Sequence, residues 1–293
     1  MLRFAAIDIG SNAVRLLIAD IIKTDKGYKY NKNVLVRVPL RLGDDAFIDQ
    51  EISDKKQTDL VDTMDAFSKL MRVFSVSEYL ACATSAMREA RNGAEVIRAI
   101  KKRSDLDIEI IAGQREANII YANHIEKELD PNKNYLYIDV GGGSTELSVF
   151  VEGEMIVSRS FNIGTIRMLD NQDKPETWEE MKLWVKDHVR HLKNLAAIGT
   201  GGNINKLFKM SDEKDNAPLL TSKLSKIYKD LNSYSLKERM KKFDLKPDRA
   251  DVIIPACEIF LTLANWTGIK QIYVPKVGMA DGIINLLIEE KLT

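Results

Sequence analysis

Cysteine, proline and histidine are scarce in this sequence, and the cysteines and histidines each exclude a kind of structure. The 293 residues include 2 cysteines, 7 prolines and 3 histidines. Cys82 and Cys257 lie far apart in apolar surroundings, which predicts two buried thiols and excludes a disulfide framework. His188 and His191 stand at helical spacing without a cysteine or carboxylate pattern, so we interpret them as a solvated helix face and not as a zinc site.

Long apolar runs and an excess of charge are also lacking. The longest apolar stretch, at 252–266, is interrupted by Pro255 and Glu258 and is shorter than the roughly 20 residues of a membrane helix. Asp8 ends the first apolar run too early for a signal peptide. Basic and acidic residues number 43 each, so the net charge provides no bulk attraction to nucleic acid or membrane. We expect a cytoplasmic chain without either partner.

Charge is nevertheless distributed unevenly along the chain. Lys and Arg are in excess between residues 182 and 246, and the acidic counterpart includes residues 44–65. Lys223, Lys226 and Lys229 recur every three residues, which is typical of one face of a helix. Such a stripe is most often only a solvated face. It acquires a binding function if the substrate is a long polyanion.

Apolar periodicity predicts strands and helices in alternation, which indicates an α/β sheet. Predicted strands lie at 2–9, 13–22, 78–84, 108–112, 146–151 and 271–274, and a further strand enters the glycine turn within 195–202. Predicted helices lie at 59–74, 85–102, 114–129, 203–210, 250–266 and 278–292.

One short pattern occurs twice in the chain. Residues 7–12, Ile-Asp-Ile-Gly-Ser-Asn, correspond to residues 138–145, Ile-Asp-Val-Gly-Gly-Gly-Ser-Thr, and an apolar strand follows each copy. The simplest interpretation is a strand, a tight turn and a second strand, placed near the start of each half. The repeat therefore predicts two similarly built lobes that face a cleft.

The two turns have the composition of phosphate-binding loops. Glycine lets backbone N–H groups approach a phosphate closely because it has no Cβ and accepts positive φ. The glycines are Gly10, Gly141, Gly142 and Gly143, and the side chains that add donors are those of Ser11, Asn12, Ser144 and Thr145. Asp8 and Asp139, at the strand ends, are the candidate ligands for Mg²⁺. A single turn of this kind would be an ordinary hairpin, but two copies favour a phosphate clamp.

Further motifs follow in a fixed order along the chain. They are 8–15, 83–90 (Ala-Thr-Ser-Ala-Met-Arg-Glu-Ala), 111–117 (Ile-Ala-Gly-Gln-Arg-Glu-Ala), 139–147, 199–202 (Gly-Thr-Gly-Gly) and 249–255. Together they resemble the exopolyphosphatase and guanosine pentaphosphate phosphohydrolase (Ppx/GppA) phosphatases over nearly the whole chain. The glycine turn at 199–202 is not a dinucleotide fingerprint, because Asn205 or Lys206 stands where the third glycine is needed.

The resemblance implies the actin-like, sugar-kinase-like ATPase fold, which is ribonuclease H-like, with an interdomain active site. Residues 1–122 would form the lobe with the first phosphate loop and the catalytic Glu. Residues 123–279 would form the second lobe, and residues 280–293 a C-terminal helix that packs back on the first. The resemblance is to the short form of the family, so we expect no additional C-terminal helical domain.

The resemblance also assigns roles to single residues. Glu116 would be the general base, assisted by Arg88, and Arg15 would bind phosphate. Gly199, Gly201 and Gly202 would line the rest of the substrate cleft, and Arg167 and Lys206 are weaker candidates. Without the resemblance, Glu116 is a first-turn acid favoured by the helix dipole. Arg115 and Ala280 depart from the family pattern, which leaves substrate preference open.

Several functions remain open at this point. We expect an exopolyphosphatase that releases terminal orthophosphate from inorganic polyphosphate with Mg²⁺ or Mn²⁺. The alternatives are hydrolysis of guanosine pentaphosphate and a non-catalytic polyphosphate or nucleotide sensor, while the glutamate motif disfavours a kinase. A homodimer is an open alternative to a monomer.

Overall fold

A computed structural model describes residues 2–125 and 130–292, which divide into two compact units. Unit 1 contains residues 2–123 together with 278–292, and unit 2 runs from His124 to Val277. The sequence interpretation predicts these two boundaries after residues 122 and 279. Residues 126–129, the end of the helix expected at 114–129, lie outside the described residues.

Unit 1 is built on a five-stranded sheet with the order β3-β2-β1-β4-β5. Its elements before unit 2 are β1 (Leu2–Ile9), β2 (Val14–Thr24), β3 (Gly27–Val38), α1 (Leu42–Ala46), α2 (Asp54–Val73), β4 (Glu78–Ala83), α3 (Ser85–Glu89), α4 (Gly93–Ser104), β5 (Glu109–Ile110) and α5 (Gly113–Tyr121). The first three strands are antiparallel, and β4 and β5 continue the sheet parallel to β1.

Unit 2 repeats this topology in a six-stranded sheet with the order β10-β11-β9-β6-β7-β8. Its elements are β6 (Asn134–Val140), β7 (Thr145–Val151), β8 (Glu154–Phe161), α6 (Thr165–Leu169), α7 (Pro175–Val189), β9 (Leu195–Thr200), α8 (Gly202–Met210), β10 (Leu219–Leu220), α9 (Thr221–Asn232), α10 (Leu236–Lys242), α11 (Pro247–Ala250), α12 (Ile253–Thr267) and β11 (Gln271–Tyr273). Strands β6 to β8 match β1 to β3, and β9 and β11 match β4 and β5. The predicted α/β, actin-like fold class is confirmed.

The last helix, α13 (Met279–Leu292), packs against β1, β2, β4 and α5 of unit 1. Gly282 permits this packing, because a Cβ at that position would lie 2.0 Å from the carbonyl oxygen of Ile119. Asp281 adds a polar anchor by accepting a hydrogen bond from the Tyr30 hydroxyl (2.7 Å) and pairing with Lys32 (2.7 Å). Burial and the Asp281 carboxylate together raise the pKa of Tyr30 far above its usual value.

Helix α12 is the central helix of the unit 2 core. Ile259, Phe260 and Leu263 on it are fully buried among the strands and helices of that unit. The segment Pro247–Thr267 has the length and hydropathy of a membrane span, and 56% of its most apolar window is buried. Its packing is that of a core helix, which accounts for its apolar character without a membrane.

Several parts of the fold differ from the sequence interpretation, two of them in ways that the packing explains. Strands β3 and β8 were not predicted, and the helix expected at 85–102 is two helices, α3 and α4. The chain turns between them at Ala90–Asn92, and a Cβ at Gly93 would lie 2.2 Å from the Met87 carbonyl oxygen. Only glycine allows the two helices to approach so closely at this point.

Candidate active site

The first glycine turn joins β1 to β2 as a short hairpin connection. Ile9 pairs with Val14, and the Gly10 N–H donates to the Ala13 carbonyl oxygen (3.2 Å) to close the turn. Asp8, the residue before Ile9, is buried and lies opposite Arg15 in the β1–β2 ladder. The Arg15 guanidinium donates to Asp8 Oδ2 at 2.6 Å. The carboxylate charge of Asp8 is therefore balanced within the hairpin.

The chain after β3 orients the peptide groups of this turn. The Gly43 N–H donates to the Ser11 carbonyl oxygen (2.9 Å), and the Arg41 N–H donates to that of Asn12 (3.0 Å). In a planar trans peptide the N–H points opposite to the carbonyl. The N–H groups of Asn12 and Ala13 are consequently directed away from α1. The Gly10 N–H closes the turn by donating to Ala13, so it is not directed at a ligand.

The second turn, between β6 and β7, has the same construction. The Gly141 N–H donates to the Ser144 carbonyl oxygen (2.9 Å), and the first residues of α6 hold the turn from behind. The Thr165 N–H donates to the Gly141 oxygen (3.0 Å), and the Ile166 N–H donates to the Gly142 oxygen (2.8 Å). Gly141 thus closes the turn, as Gly10 does in unit 1.

Arg167 completes the support of the second turn. It is only 6% exposed, and its Nε donates to the Gly143 carbonyl oxygen at 2.9 Å. With three carbonyl groups held towards α6, peptide planarity directs the N–H groups of Gly142, Gly143 and Ser144 to the opposite side. Gly164 makes the close approach possible, because a Cβ there would lie 2.5 Å from the Gly142 oxygen. Three neighbouring N–H groups that point one way are the backbone arrangement that suits an anion.

Two buried carboxylates lie beside the second turn. Asp139 is 8% exposed and Glu146 is 2% exposed, and the two residues are direct partners across the β6–β7 ladder. Side chains of directly opposite residues project from the same face of a sheet. The Thr200 hydroxyl donates to Asp139 Oδ1 (2.5 Å), and the Ser160 hydroxyl donates to Glu146 Oε1 (2.7 Å).

This donor set fits a divalent cation, whereas that of Asp8 does not. Mg²⁺ and Mn²⁺ prefer carboxylate oxygens, and Asp139 with Glu146 supplies two buried carboxylates on one face. Asp8 is engaged by the Arg15 guanidinium, which occupies the position of a counter-charge. The expectation that Asp8 is a metal ligand is therefore not supported by its surroundings.

The third glycine turn lies next to Asp139. Gly201 has a φ of 102°, and a Cβ there would lie 3.4 Å from Asp139 Oδ1. Gly202 begins α8, and its carbonyl oxygen accepts from Arg249 Nη1 (2.9 Å). Gly199 is different, because its Cα faces the side chains of Ile204, Ile272 and Phe260 in the core. Of the three glycines expected to line the substrate cleft, Gly199 is placed as a packing residue.

In unit 1, hydrogen bonds link the first turn to the helices that carry Arg88 and Glu116. The hydroxyl groups of Ser11 and Ser85, the first residue of α3, are 2.9 Å apart. Arg88 Nη1 donates to the Ile111 carbonyl oxygen (2.7 Å), just before α5 begins. Glu116 lies in the first turn of α5 and is 8% exposed.

Acidic side chains gather around Cys82 at this end of the sheet. Cys82 is the β4 partner of Asp8. Burial is the main cause that raises the pKa of its thiol to about 12, and the carboxylates of Glu109, Asp8 and Glu116 contribute further. Asp8 and Glu116 are therefore both close enough to one buried thiol to influence its ionisation.

The lysine stripe on α9 is only partly free. Lys223 pairs with Glu213 at 2.9 Å, while Lys226 and Lys229 are exposed. The buried face of α9 consists of Leu224, Ile227 and Leu231. One of the three lysines expected to attract a polyanion is thus already neutralised.

Comparisons with known proteins agree with this architecture. The family model described as the Ppx/GppA phosphatase family matches residues 36–290. The chain is similar to an exopolyphosphatase from Cytophaga hutchinsonii of known structure, with a TM-score of 0.84 at 22% identity over 98% of each chain. At that identity the likeness concerns the fold.

The curated relatives differ in length. Exopolyphosphatase 2 of Mycobacterium tuberculosis is 27% identical, and the match covers 96% of this chain and 97% of that protein. The bifunctional 3-dehydroquinate synthase/phosphatase of Fusobacterium nucleatum is also 27% identical over 98% of this chain, but the chain spans only 47% of it. It spans about half the length of several curated relatives. With its motifs, its duplicated sheet topology and a family match over most of its length, the chain belongs to the Ppx/GppA phosphatase family.

Proposed function

We propose that this chain is a phosphoanhydride hydrolase that releases terminal orthophosphate from inorganic polyphosphate. The family consists of phosphatases, and the proposal specifies the substrate and the attacking group. The observation that carries it is the second turn, where the N–H groups of Gly142, Gly143 and Ser144 point in one direction. A phosphoryl group has the oxygens to accept all three hydrogen bonds.

Glu116 is the proposed general base. This carboxylate lies in the first turn of α5 and is 8% exposed, so it is shielded from bulk solvent. It would orient a water molecule and take its proton while the water oxygen bonds to the terminal phosphorus. The P–O bond to the bridging oxygen breaks, and the shortened chain leaves with that oxygen.

Cationic side chains of unit 1 would bind the negative charge of the phosphate. Arg88 and Arg15 are the candidates, and both are already held by hydrogen bonds, to the Ile111 carbonyl and to Asp8. Guanidinium groups that are oriented before the substrate arrives lose little entropy on binding phosphate. Ser11 and Asn12 would add donors at the first turn.

Mg²⁺ or Mn²⁺ would bind at Asp139 and Glu146, on the same side of the β6–β7 hairpin. When bound, the ion supplies positive charge that neutralises the phosphoryl oxygens. The two hydroxyl groups of Thr200 and Ser160 would keep the carboxylates oriented through hydrogen bonds.

Phosphate release from three substrates tests the proposal. Long-chain polyphosphate, guanosine pentaphosphate and ATP are compared at equal concentration of terminal phosphoryl groups with Mn²⁺ present. We expect the greatest kcat/KM for polyphosphate. A greater kcat/KM for guanosine pentaphosphate would select the compact nucleotide instead, and binding without phosphate release from any of them would identify a sensor.

A further inference from the structure

Unit 2 carries a basic surface that the proposed site does not use. It consists of Lys237, Lys241 and Lys242 on α10 and Lys246 in the following loop, all of them exposed. No residue of α10 is buried. Within the described part of the chain, none of the four lysines forms an ion pair with a carboxylate. Their positive charges therefore face solvent together.

Helix α2, by contrast, pairs its lysines with carboxylates. On α2, Lys55 pairs with Asp59 (2.6 Å) and Lys69 with Asp65 (2.8 Å), each at a spacing of four residues. Glu238 could serve Lys242 in the same way, since Glu four residues before Lys is the favourable order. Glu238 instead accepts hydrogen bonds from the N–H and hydroxyl of Ser235 in a capping box. The cap thus leaves Lys242 without its carboxylate.

Hydrogen bonds connect the basic surface to the third glycine turn. Arg239 Nη1 donates to the Ala250 carbonyl oxygen (2.7 Å). Arg249, the residue before Ala250, donates to the Gly202 carbonyl oxygen. Lys206 Nζ donates to the Asp244 carbonyl oxygen (3.0 Å) in the loop after α10. These contacts hold α10 and its loop against the start of α8, next to Gly201 and Asp139.

Positive charge continues along this connection. The pKa of Lys206 is lowered, first by burial and also by the positive charges of Lys209 and Arg249, although Asp244 opposes the shift. Cations that repel one another in this way gain stability when a polyanion binds among them.

The aromatic side chains that flank α10 favour a polyanion without bases. Lys242 Nζ lies 3.9 Å from the ring centre of Tyr234 and 5.6 Å from that of Phe243. Single-stranded nucleic acids bind by stacking bases on exposed aromatic faces. An ammonium group over these rings competes with such stacking, whereas a chain of phosphates needs only the cations.

We propose that the basic surface binds the distal part of an inorganic polyphosphate chain whose terminal phosphate lies at the second turn. The inference rests on the proposed function for the position of the chain end, but not for binding itself. In this proposal α10 is the main determinant of affinity for long chains. The α9 stripe is not, because its Lys223 is paired with Glu213.

The triple variant K237Q/K241Q/K242Q tests the proposal. Its matched control is K23Q/K29Q/K102Q, which removes three exposed lysines of unit 1 and changes the net charge equally. Dissociation constants of long-chain polyphosphate and of triphosphate are measured by titration calorimetry with the full chain. Circular dichroism verifies that each variant is folded.

For the α10 variant we expect affinity for long polyphosphate to fall at least about 10-fold and affinity for triphosphate to stay within about 2-fold of the parent chain. Each phosphate contact contributes about 0.7 to the logarithmic salt slope of a single-stranded polyanion, so the slope should fall by about 2. The control variant should retain both values. Equal losses in the two variants, or equal losses for the two ligands, would overturn the proposal.

Two further outcomes distinguish this proposal from nucleic-acid binding and from the proposed function. If single-stranded DNA of equal charge competes as well as polyphosphate, the surface binds nucleic acid and the assignment is overturned. If the parent chain binds long polyphosphate through α10 but releases no phosphate, the proposed function fails while the surface stands.

Discussion

The two glycine turns have the same backbone and opposite electrostatics. Each residue of the first turn corresponds to the residue 131 positions later, so that Gly10 matches Gly141 and Asp8 matches Asp139. Across the hairpin, however, Arg15 faces Asp8, whereas Glu146 faces Asp139. A cation faces the first aspartate and a second anion faces the other.

This difference indicates that duplication has preserved the shape of the turn and not its chemistry. The Asp8–Arg15 pair balances its own charge inside the hairpin. Two buried carboxylates on one face repel each other and are stabilised by a bound cation or by a shared proton. The first turn is therefore suited to orient an arginine for phosphate, and the second to bind a metal ion.

The largest effect is expected at Glu116, the general base in the proposed function. Glu116→Gln keeps the shape but cannot accept a proton, so kcat should fall by about 10²–10⁴ with little change in substrate affinity. Phosphate release and titration calorimetry measure the two quantities. Glu109→Gln, also near Cys82 but exposed, is the control and should keep most of its turnover. A Glu116→Gln variant with more than about half its turnover would remove Glu116 as the base.

Arg167 sharpens the comparison, because the supports described for the first turn are the backbone N–H groups of Arg41 and Gly43. Arg167→Met removes a charged donor to the Gly143 carbonyl, and hydrogen bonds of that kind contribute about 1.5–3 kcal/mol. We expect KM for polyphosphate to rise about 10- to 100-fold. For Arg167→Lys, which keeps the charge and loses the Nε geometry, we expect a KM between that of the parent chain and that of Arg167→Met. Arg159→Met, which removes an exposed arginine of the same unit, should leave KM unchanged. Equal KM values in all three variants would contradict the positioning role.

Much of the fold follows from local pattern. Strand β1 was predicted from Leu2 to Ile9 because all of its residues except Arg3 and Asp8 are apolar. Strands β3 and β8 were missed because they lie towards the sheet edges and alternate between exposed and half-buried residues. Edge strands lack the apolar run that marks a buried strand. The break before Gly93 was also invisible, since it depends on packing against Met87.

The site was predictable in parts. The motifs single out the glycines, Asp139 and Glu116 as candidates, because the expected chemistry depends on residue type at fixed spacing. Glu146 lies within the motif at 139–147, but the motif alone gives it no role. Pairing Val140 with Thr145 across the turn would have placed Glu146 opposite Asp139. The support by Gly164 and Arg167 could not be read from sequence, because it joins segments more than 20 residues apart.

A smaller effect is expected for the glycine behind the second turn. In Gly164→Ala the new Cβ would meet the Gly142 oxygen at 2.5 Å, and overpacking of this kind costs about 1–3 kcal/mol of unfolding free energy. Gly278→Ala is the control, since nothing lies within 4 Å of a Cβ there. Urea unfolding of both variants measures the difference. Equal stability would mean that the turn can move away from α6.

The most direct test of the asymmetry between the turns is Mn²⁺ binding to Asp139→Asn and to Asp8→Asn, measured by titration calorimetry without substrate. Loss of a carboxylate ligand should weaken Mn²⁺ binding at least about 10-fold in Asp139→Asn, while Asp8→Asn should stay within about 2-fold of the parent chain. Glu146→Gln should behave like Asp139→Asn. Weaker Mn²⁺ binding in Asp8→Asn than in Asp139→Asn would contradict the account, because it would place the ion at the turn whose charge Arg15 already balances.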